Sequence, residues 1–255
     1  MLCGKRAALT YAHIPPKASG NAGHSRRAVV DPFGGLVFDR GRDGGMGLYA
    51  HCEECRTRTS PWDDEYIAWA ASIARVMLRS DGLGQRDHLM LRASSVRPGR
   101  FARSAIAGMT GLAEGLIHSH ATFIDAIRSG RPVLGETRIG FYVGVTEKES
   151  RPLIEGAHGA VVASLDMAAG RSTSRATLSA ISHFPPFSLV LATPDAAGGL
   201  PHRDCTELLR FSADEAVEDF AIEVPVIRVV PPDPDATRVG APAVASAKTF
   251  LAGLV

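Results

Sequence analysis

The segment from Gly159 to Ala176 combines an acidic residue with a run of small and hydroxyl-bearing residues. Asp166 follows the apolar run Ala160–Leu165. The loop after it contains Gly170, Arg171, Ser172 and Thr173. Backbone amides and hydroxyls of such a loop can bind phosphate where a helix begins, because the N-terminus of a helix carries partial positive charge. The composition is compatible with a phosphate site, but an ordinary turn between a strand and a helix has the same kinds of residues, and on this segment alone the turn is the default interpretation.

Two short motifs have the spacing of zinc ligands. Cys52 and Cys55 are separated by two residues, and His202 and Cys205 form a similar pair far along the chain. Together they would make a Cys3His zinc site. The two pairs are distant in sequence, and four cysteines in a chain of this size do not indicate a disulfide framework. We therefore expect free thiols and assign no metal ligand.

The elements that must position these residues alternate between helix and strand. Apolar residues at intervals of three and four predict a helix over Asp63–Arg79, with Ser60 as its cap and Pro61 in its first turn. Strands are predicted at Leu89–Leu91, Ile139–Val145, Ala160–Leu165, Phe187–Ala192 and Val226–Val230, and helical segments at Ile106–Ile117, Arg175–Ile181 and Cys205–Phe211. This alternation indicates an α/β fold with a mainly parallel, doubly wound sheet, whose ligands bind at the carboxyl ends of the strands.

Length and composition suit one domain with an extension. The chain has 255 residues, a net charge of +1 and no apolar run long enough to span a bilayer. Nucleic acid and membranes are therefore not expected as partners. Residues 1–30 contain no acid and no long apolar core of a secretory signal. We predict a poorly ordered extension over residues 1–48, a single domain over 49–255, and a cytoplasmic location.

Several segments, taken in order, resemble uracil phosphoribosyltransferases over roughly residues 50 to 242. The similar segments are Arg56–Ser60 with the helix after it, Ala107–Leu116, Thr137–Tyr142, Leu165–Thr173 and Pro231–Arg238. The resemblance implies a type I phosphoribosyltransferase-like fold with a small hood over the sheet. It also implies transfer of ribose 5-phosphate from phosphoribosyl pyrophosphate to uracil or a related base, which forms UMP in pyrimidine salvage. Mg²⁺ and a homodimer or higher homo-oligomer are implied as well.

The same resemblance implies roles for particular residues. Asp166 would be the catalytic residue, in contact with the ribose hydroxyls or the magnesium shell. The donor would be bound by Arg103, Gly108, Asp166, Gly170, Arg171, Ser172 and Thr173. The base would be bound by Val230, Pro231, Asp235 and Ala236.

The chain departs from the family pattern at several of these places. The donor loop is one residue shorter, Arg171 replaces a threonine or glycine, and Ile106 stands where the family has an arginine. Pro231–Pro232 replaces a Pro-Gly pair and lacks an amide hydrogen that would read the base. These departures predict a changed base or lost activity. A non-catalytic nucleotide-binding regulator of the same fold and an unrelated α/β protein are the alternatives.

Overall fold

A computed structural model describes residues 2–3, 5, 7–22, 28–30, 36–38, 43–79, 83–112, 116–117, 120–135, 137–146, 160–163, 178–197 and 201–227. The strands are β1 (Leu9–His13), β2 (Ala28–Val30), β3 (Leu36–Phe38), β4 (Gly47–Cys52), β5 (His88–Ala93), β6 (Gly140–Val145), β7 (Ala160–Ala163), β8 (Leu178–Phe184), β9 (Phe187–Ala192), β10 (Arg203–Asp204) and β11 (Phe220–Pro225). The helices are α1 (Glu53–Arg79), α2 (Pro98–Leu112), α3 (Ala121–Ser129) and α4 (Pro194–Ala197), with 3-10 turns at Lys17–Ser19 and Thr206–Arg210.

The strands form one large sheet and two ribbons. The seven-stranded sheet has the order β10-β6-β9-β8-β7-β2-β3, and the two-stranded ribbons are β1-β4 and β11-β5. Within the part of the large sheet that the structure describes, β2 and β7 pair in parallel, and the other neighbouring strands are antiparallel. The mixed α/β class is therefore confirmed, but the pairings described differ from the mainly parallel sheet that the sequence predicts.

The turn between β8 and β9 explains much of this difference. Phe184 pairs with Phe187, so the connection consists of Pro185 and Pro186 alone. A two-residue connection can join only antiparallel strands, whereas a parallel pair needs a long crossover. The helix predicted over Arg175–Ile181 is also wrong, because its second half is strand β8.

An aromatic cluster forms the core between the helices and the large sheet. The ring of Phe101 in α2 stacks on that of Trp69 in α1, with a centroid separation of 4.2 Å. Phe101 also contacts Phe141 of β6 and Phe187 of β9, and Tyr66 of α1 meets Phe187 edge to face. All residues of β6 and β9 are buried. Helices α1 and α2 therefore pack on one face of the sheet through these rings.

The N-terminal ribbon belongs to the same core. Strand β1 pairs antiparallel with β4, with Leu9 opposite Cys52 and His13 opposite Gly47. Leu2 and Ile14 are buried among the residues of the main core. The described residues on the two sides of the predicted boundary at residue 48 thus pack together, because β1 and β4 pair across it.

Candidate functional site

Three cysteine thiols meet where the β1-β4 ribbon joins α1. Cys52 ends β4, Cys55 lies in the first turn of α1, and Cys3 comes from the N-terminal segment. Their Sγ atoms all lie within 4.8 Å of one another, and those of Cys3 and Cys52 are 3.6 Å apart. Cys52 and Cys55 are buried, while Cys3 is partly exposed. We call these three residues the thiol cluster.

The surroundings of the thiol cluster act differently on its members. Burial, together with the neighbouring thiols, raises the pKa of Cys55 to about 12. Burial opposes ionisation of Cys3 too, but hydrogen bonds from the Lys5 backbone and from the Cys55 and Cys52 thiols outweigh it and lower the pKa of Cys3. Without a cation, the buried cluster therefore does not favour ionisation of all its thiols. A bound cation would favour it, since metals bind thiolates and release the protons.

The second pair with zinc-ligand spacing, His202 and Cys205, lies elsewhere. Among the described residues, the metal-ligand groups of three or more comprise Cys3, Cys52 and Cys55, without His202 or Cys205. Cys205 is buried and its backbone N–H donates to the Phe141 carbonyl at 2.8 Å. Nε2 of His202 is 2.9 Å from Oγ of Ser188. The sequence motif thus identifies two members of the cluster and misses Cys3.

A cleft with a volume of about 370 Å³ lies beside the thiol cluster, between the ribbon and the two long helices. One wall is β1 and the Pro15–Ala18 segment after it, and the opposite wall is the first half of α1. Gly108 of α2 closes part of the base, where a Cβ atom would lie 3.1 Å from Cγ2 of Ile14. The polar side chains that line the cleft include Lys17, Arg56, Thr59, Ser60, Asp63 and Ser104.

The carboxyl group of Asp63 is the most perturbed acid in the cleft. Ser104 Oγ donates a hydrogen bond to Asp63 Oδ1 at 2.6 Å. Burial nevertheless raises the pKa of Asp63 to about 6, since the Ser104 hydrogen bond offsets only part of the desolvation. An acid with a raised pKa in a cleft is a candidate for a ligand-binding or catalytic group.

His51 lies deeper, at the junction of the ribbon and α2. Its Nε2 is 3.1 Å from the Ala107 carbonyl, which can only accept, so this nitrogen carries the hydrogen. Burial lowers the pKa of His51, and the ring is therefore neutral at pH 7. The ring connects β4 to α2 and helps to fix the cleft walls relative to each other.

Only two of the residues assigned to donor binding or catalysis lie in the described part of the chain. Gly108 lines the cleft, as stated. Arg103 is fully buried, and its guanidinium donates to the carbonyls of Gly99, Phe211, Leu209 and Arg131. These contacts join α2 to the segments after α3 and around the second 3-10 turn. A phosphate-binding role for Arg103 stays a prediction.

The remaining assigned residues lie outside the described residues. They are Asp166, Gly170, Arg171, Ser172 and Thr173 of the predicted donor loop, and Val230, Pro231, Asp235 and Ala236 of the predicted base segment.

Comparisons with known proteins add no relative. No protein-family model, curated protein or solved structure was found to match this chain. Within the residues that the structure describes, no helix has the length and apolar character needed to cross a membrane.

Proposed function

We propose that this protein binds zinc through the thiolates of Cys3, Cys52 and Cys55. The observation that carries the proposal is the convergence of three thiols from separate parts of the chain within 4.8 Å. Two lie at the end of a strand and the start of a helix, and the third is 49 residues before Cys52.

The geometry of the cluster suits a tetrahedral ion. A Zn–S bond of about 2.3 Å and tetrahedral angles require neighbouring sulfurs to lie about 3.8 Å apart. The Cys3–Cys52 separation of 3.6 Å is close to this value. The start of α1 adds partial positive charge, which favours thiolate at Cys55. Three thiolates would leave the fourth position for a solvent molecule or a further donor.

The ion would have a structural role. It would fasten the N-terminal segment to the end of β4 and to the first turn of α1. An exposed ion pair between Lys5 and Glu54, 3.3 Å long, joins the same segments, but such pairs contribute little stability. Thiolate–zinc bonds would supply the larger contribution, because metal binding free energy adds to folding free energy.

Metal analysis of purified protein tests the proposal. We expect about one zinc ion per chain in the wild type, and loss of most of it in Cys3→Ser and Cys55→Ser. Cys205→Ser is the matched control, since it removes a buried thiol outside the cluster and should retain zinc. Cobalt substitution should give a thiolate-to-cobalt charge-transfer band that weakens in the two cluster variants. Equal zinc content in all four proteins, or none in the wild type grown with zinc, would refute the proposal.

The phosphoribosyltransferase reaction is a second proposal, and its support is the order of the similar sequence segments. In this proposal Asp166 contacts the ribose hydroxyls or Mg²⁺, the loop Gly170–Thr173 holds the 5-phosphate, and the base is uracil or a related pyrimidine. The finer fold expectation, a type I phosphoribosyltransferase-like sheet with a hood, and the cytoplasmic location belong to the same proposal. A non-catalytic nucleotide-binding role is its variant.

Calorimetric titration with phosphoribosyl pyrophosphate and Mg²⁺, with and without uracil, tests the second proposal. Binding that Asp166→Ala weakens, followed by conversion of labelled uracil to a nucleotide, would support the enzyme. Binding without turnover would support the regulator. No binding of the donor at millimolar concentration would refute both forms and leave the zinc proposal unaffected.

A further inference from the structure

The cleft beside the thiol cluster is lined by groups of both charges. We call the more buried part of the lining, with Asp63 and Ser104, its inner end, and the exposed part, with Lys17, Arg56 and Asp64, its outer end. The volume of about 370 Å³ falls in the range of small-molecule sites. The cleft is therefore large enough for a compact organic molecule and too small for a folded partner.

The Asp63 carboxylate at the inner end has hydrogen-bond acceptor positions that the described protein groups leave unfilled. A carboxylate has about four acceptor positions, and the hydrogen bond from Ser104 occupies one of them. Among the described residues, no basic side chain forms an ion pair with Asp63. A ligand that donates amide or amino N–H groups would supply the missing partners and compensate for the buried charge.

The outer end carries two cations, Lys17 and Arg56, and one acid, Asp64. The position of Arg56 relative to Asp63 follows from α1. Arg56 precedes Asp63 by seven residues, so the two side chains leave nearly the same face of the helix about 10 Å apart along its axis. Arg56 and Lys17 form no ion pair with another described residue. An arginine fork and an ammonium group are suited to a phosphate monoester.

We propose that this cleft binds a small organic phosphate whose other end is a planar ring with amino or amide N–H donors, such as a nucleoside monophosphate. Asp63 would accept from the ring, while Arg56 and Lys17 would bind the phosphate. The inference goes beyond zinc binding, since it concerns a different set of side chains.

Calorimetric titrations of the zinc-loaded full chain at low salt test the proposal, with cytidine 5′-monophosphate, cytidine and inorganic phosphate as probes. We expect the nucleotide to bind at least about tenfold more tightly than either fragment, since each fragment reaches one end of the cleft. Asp63→Asn should remove the advantage over phosphate. Arg56→Gln should remove the advantage over cytidine.

Matched variants separate local from general effects. Arg58→Gln changes an exposed arginine of the same helix whose described partner is Glu54, and Asp125→Asn changes an exposed acid of α3. Both should bind the nucleotide as the wild type does. Zinc content is measured in Arg56→Gln, because Arg56 follows Cys55, and should be unchanged. Equal affinity for the nucleotide and phosphate, or unchanged affinity in both cleft variants, would overturn the proposal whatever the zinc content.

Discussion

Replacement of Arg103 by methionine is expected to destabilise the fold strongly. The guanidinium is fully buried in α2 and donates to four backbone carbonyls. The bond from Nη1 to the Phe211 carbonyl is 2.8 Å long, and Nη2 bonds to the Arg131 carbonyl. Methionine has a similar length and no donor, so the variant tests the hydrogen bonds rather than the volume of the side chain.

The expected cost follows from the carbonyls that would lose a partner. The Leu209 carbonyl also accepts from the Val133 N–H at 2.8 Å and would stay bonded. Those of Phe211 and Arg131 would lose the arginine donor, at about 1–3 kcal/mol each. Removing a buried charge recovers part of this cost. A net loss of about 3 kcal/mol would lower the melting temperature by about 6–12 °C in a domain of this size.

Thermal and urea denaturation of Arg103→Met, Arg103→Lys and Arg79→Met measure this effect. The lysine variant keeps a cation but not the planar fork, so we expect a smaller but clear loss. Arg79 is exposed at the end of α1, and its variant should stay within about 0.5 kcal/mol of the wild type. An Arg103→Met protein that melts within about 2 °C of the wild type would refute the structural role. Loss of phosphoribosyl pyrophosphate binding in that stable protein would instead favour the predicted role in donor binding.

Four further outcomes are expected. Chelation of zinc should lower the melting temperature by about 4–8 °C if the ion contributes about 2 kcal/mol to the free energy of unfolding. Added zinc, but not magnesium, should restore it. The control variant Cys205→Ser should respond to chelation as the wild type does. If the cleft ligand binds the zinc-loaded form more tightly, linkage requires the nucleotide to raise zinc affinity by the same factor, which competition with a chelator measures. Burial raises the pKa of Asp63 to about 6 in the folded protein, so the protonated carboxyl stabilises the fold fully below the unfolded pKa, and this contribution is lost as the pH rises through 6. Asp63→Asn does not titrate there. Between pH 4.5 and 7.5 its free energy of unfolding, measured by urea denaturation, should therefore rise by about 2 kcal/mol relative to that of the wild type. Asn21→Ala should cost at least about 2 kcal/mol in the same assay, because the buried Asn21 amide bonds the Pro15 carbonyl and both backbone groups of Met46; an unchanged denaturation midpoint would contradict this.

Periodic and apolar patterns in the sequence predict several helices and strands correctly. The helical spacing over Asp63–Arg79 and the apolar runs of β6 and β9 agree with the structure. The start of α1 is missed, because Ser60 and Pro61 look like a cap and first turn, whereas the helix begins at Glu53. Buried residues recur along α1 from Cys55 to Ile73, so packing of that face outweighs the hydrogen bond that Pro61 cannot donate.

The strand β8 could not be predicted from its own composition. Its residues Leu178–Phe184 include good helix formers, and helix propensity is a weak prior. The segment is a strand because it pairs with β7 on one side and β9 on the other. Such pairing is a property of the whole sheet and is not visible in one segment. A helix predicted before β9 implies a crossover connection, whereas the structure has an antiparallel hairpin of β8 and β9.

The thiol cluster shows the same limit at the level of a site. The two-residue spacing of Cys52 and Cys55 is visible in the sequence, but their partner is set by the pairing of β1 with β4. That ribbon brings the N-terminal segment to the end of β4, and Cys3 with it. Both Cys3 and the pair His202 and Cys205 are far from Cys52 in the sequence, so the sequence alone could not show which of them lies beside Cys52 and Cys55. The fold was needed to identify Cys3 as the third thiol of the cluster. The sequence pattern identifies Asp63 only as the start of a helix, although Arg56 and Thr59 precede it at intervals that place all three on one side of α1.

The thiol cluster and the cleft share the β1-β4 ribbon. A two-stranded ribbon is marginally stable alone, and Tyr11 and Tyr49 on its outer side remain exposed. Its inner side lies against α2 so closely that a Cβ atom at Gly111 would come within 2.7 Å of Ala50. Because β1 supplies one wall of the cleft and α1 the other, an ion that fastens the base of the ribbon to the first turn of α1 would also fix the separation of those walls. A structural metal would therefore add to the packing on α2 in holding the ribbon as one side of a ligand site.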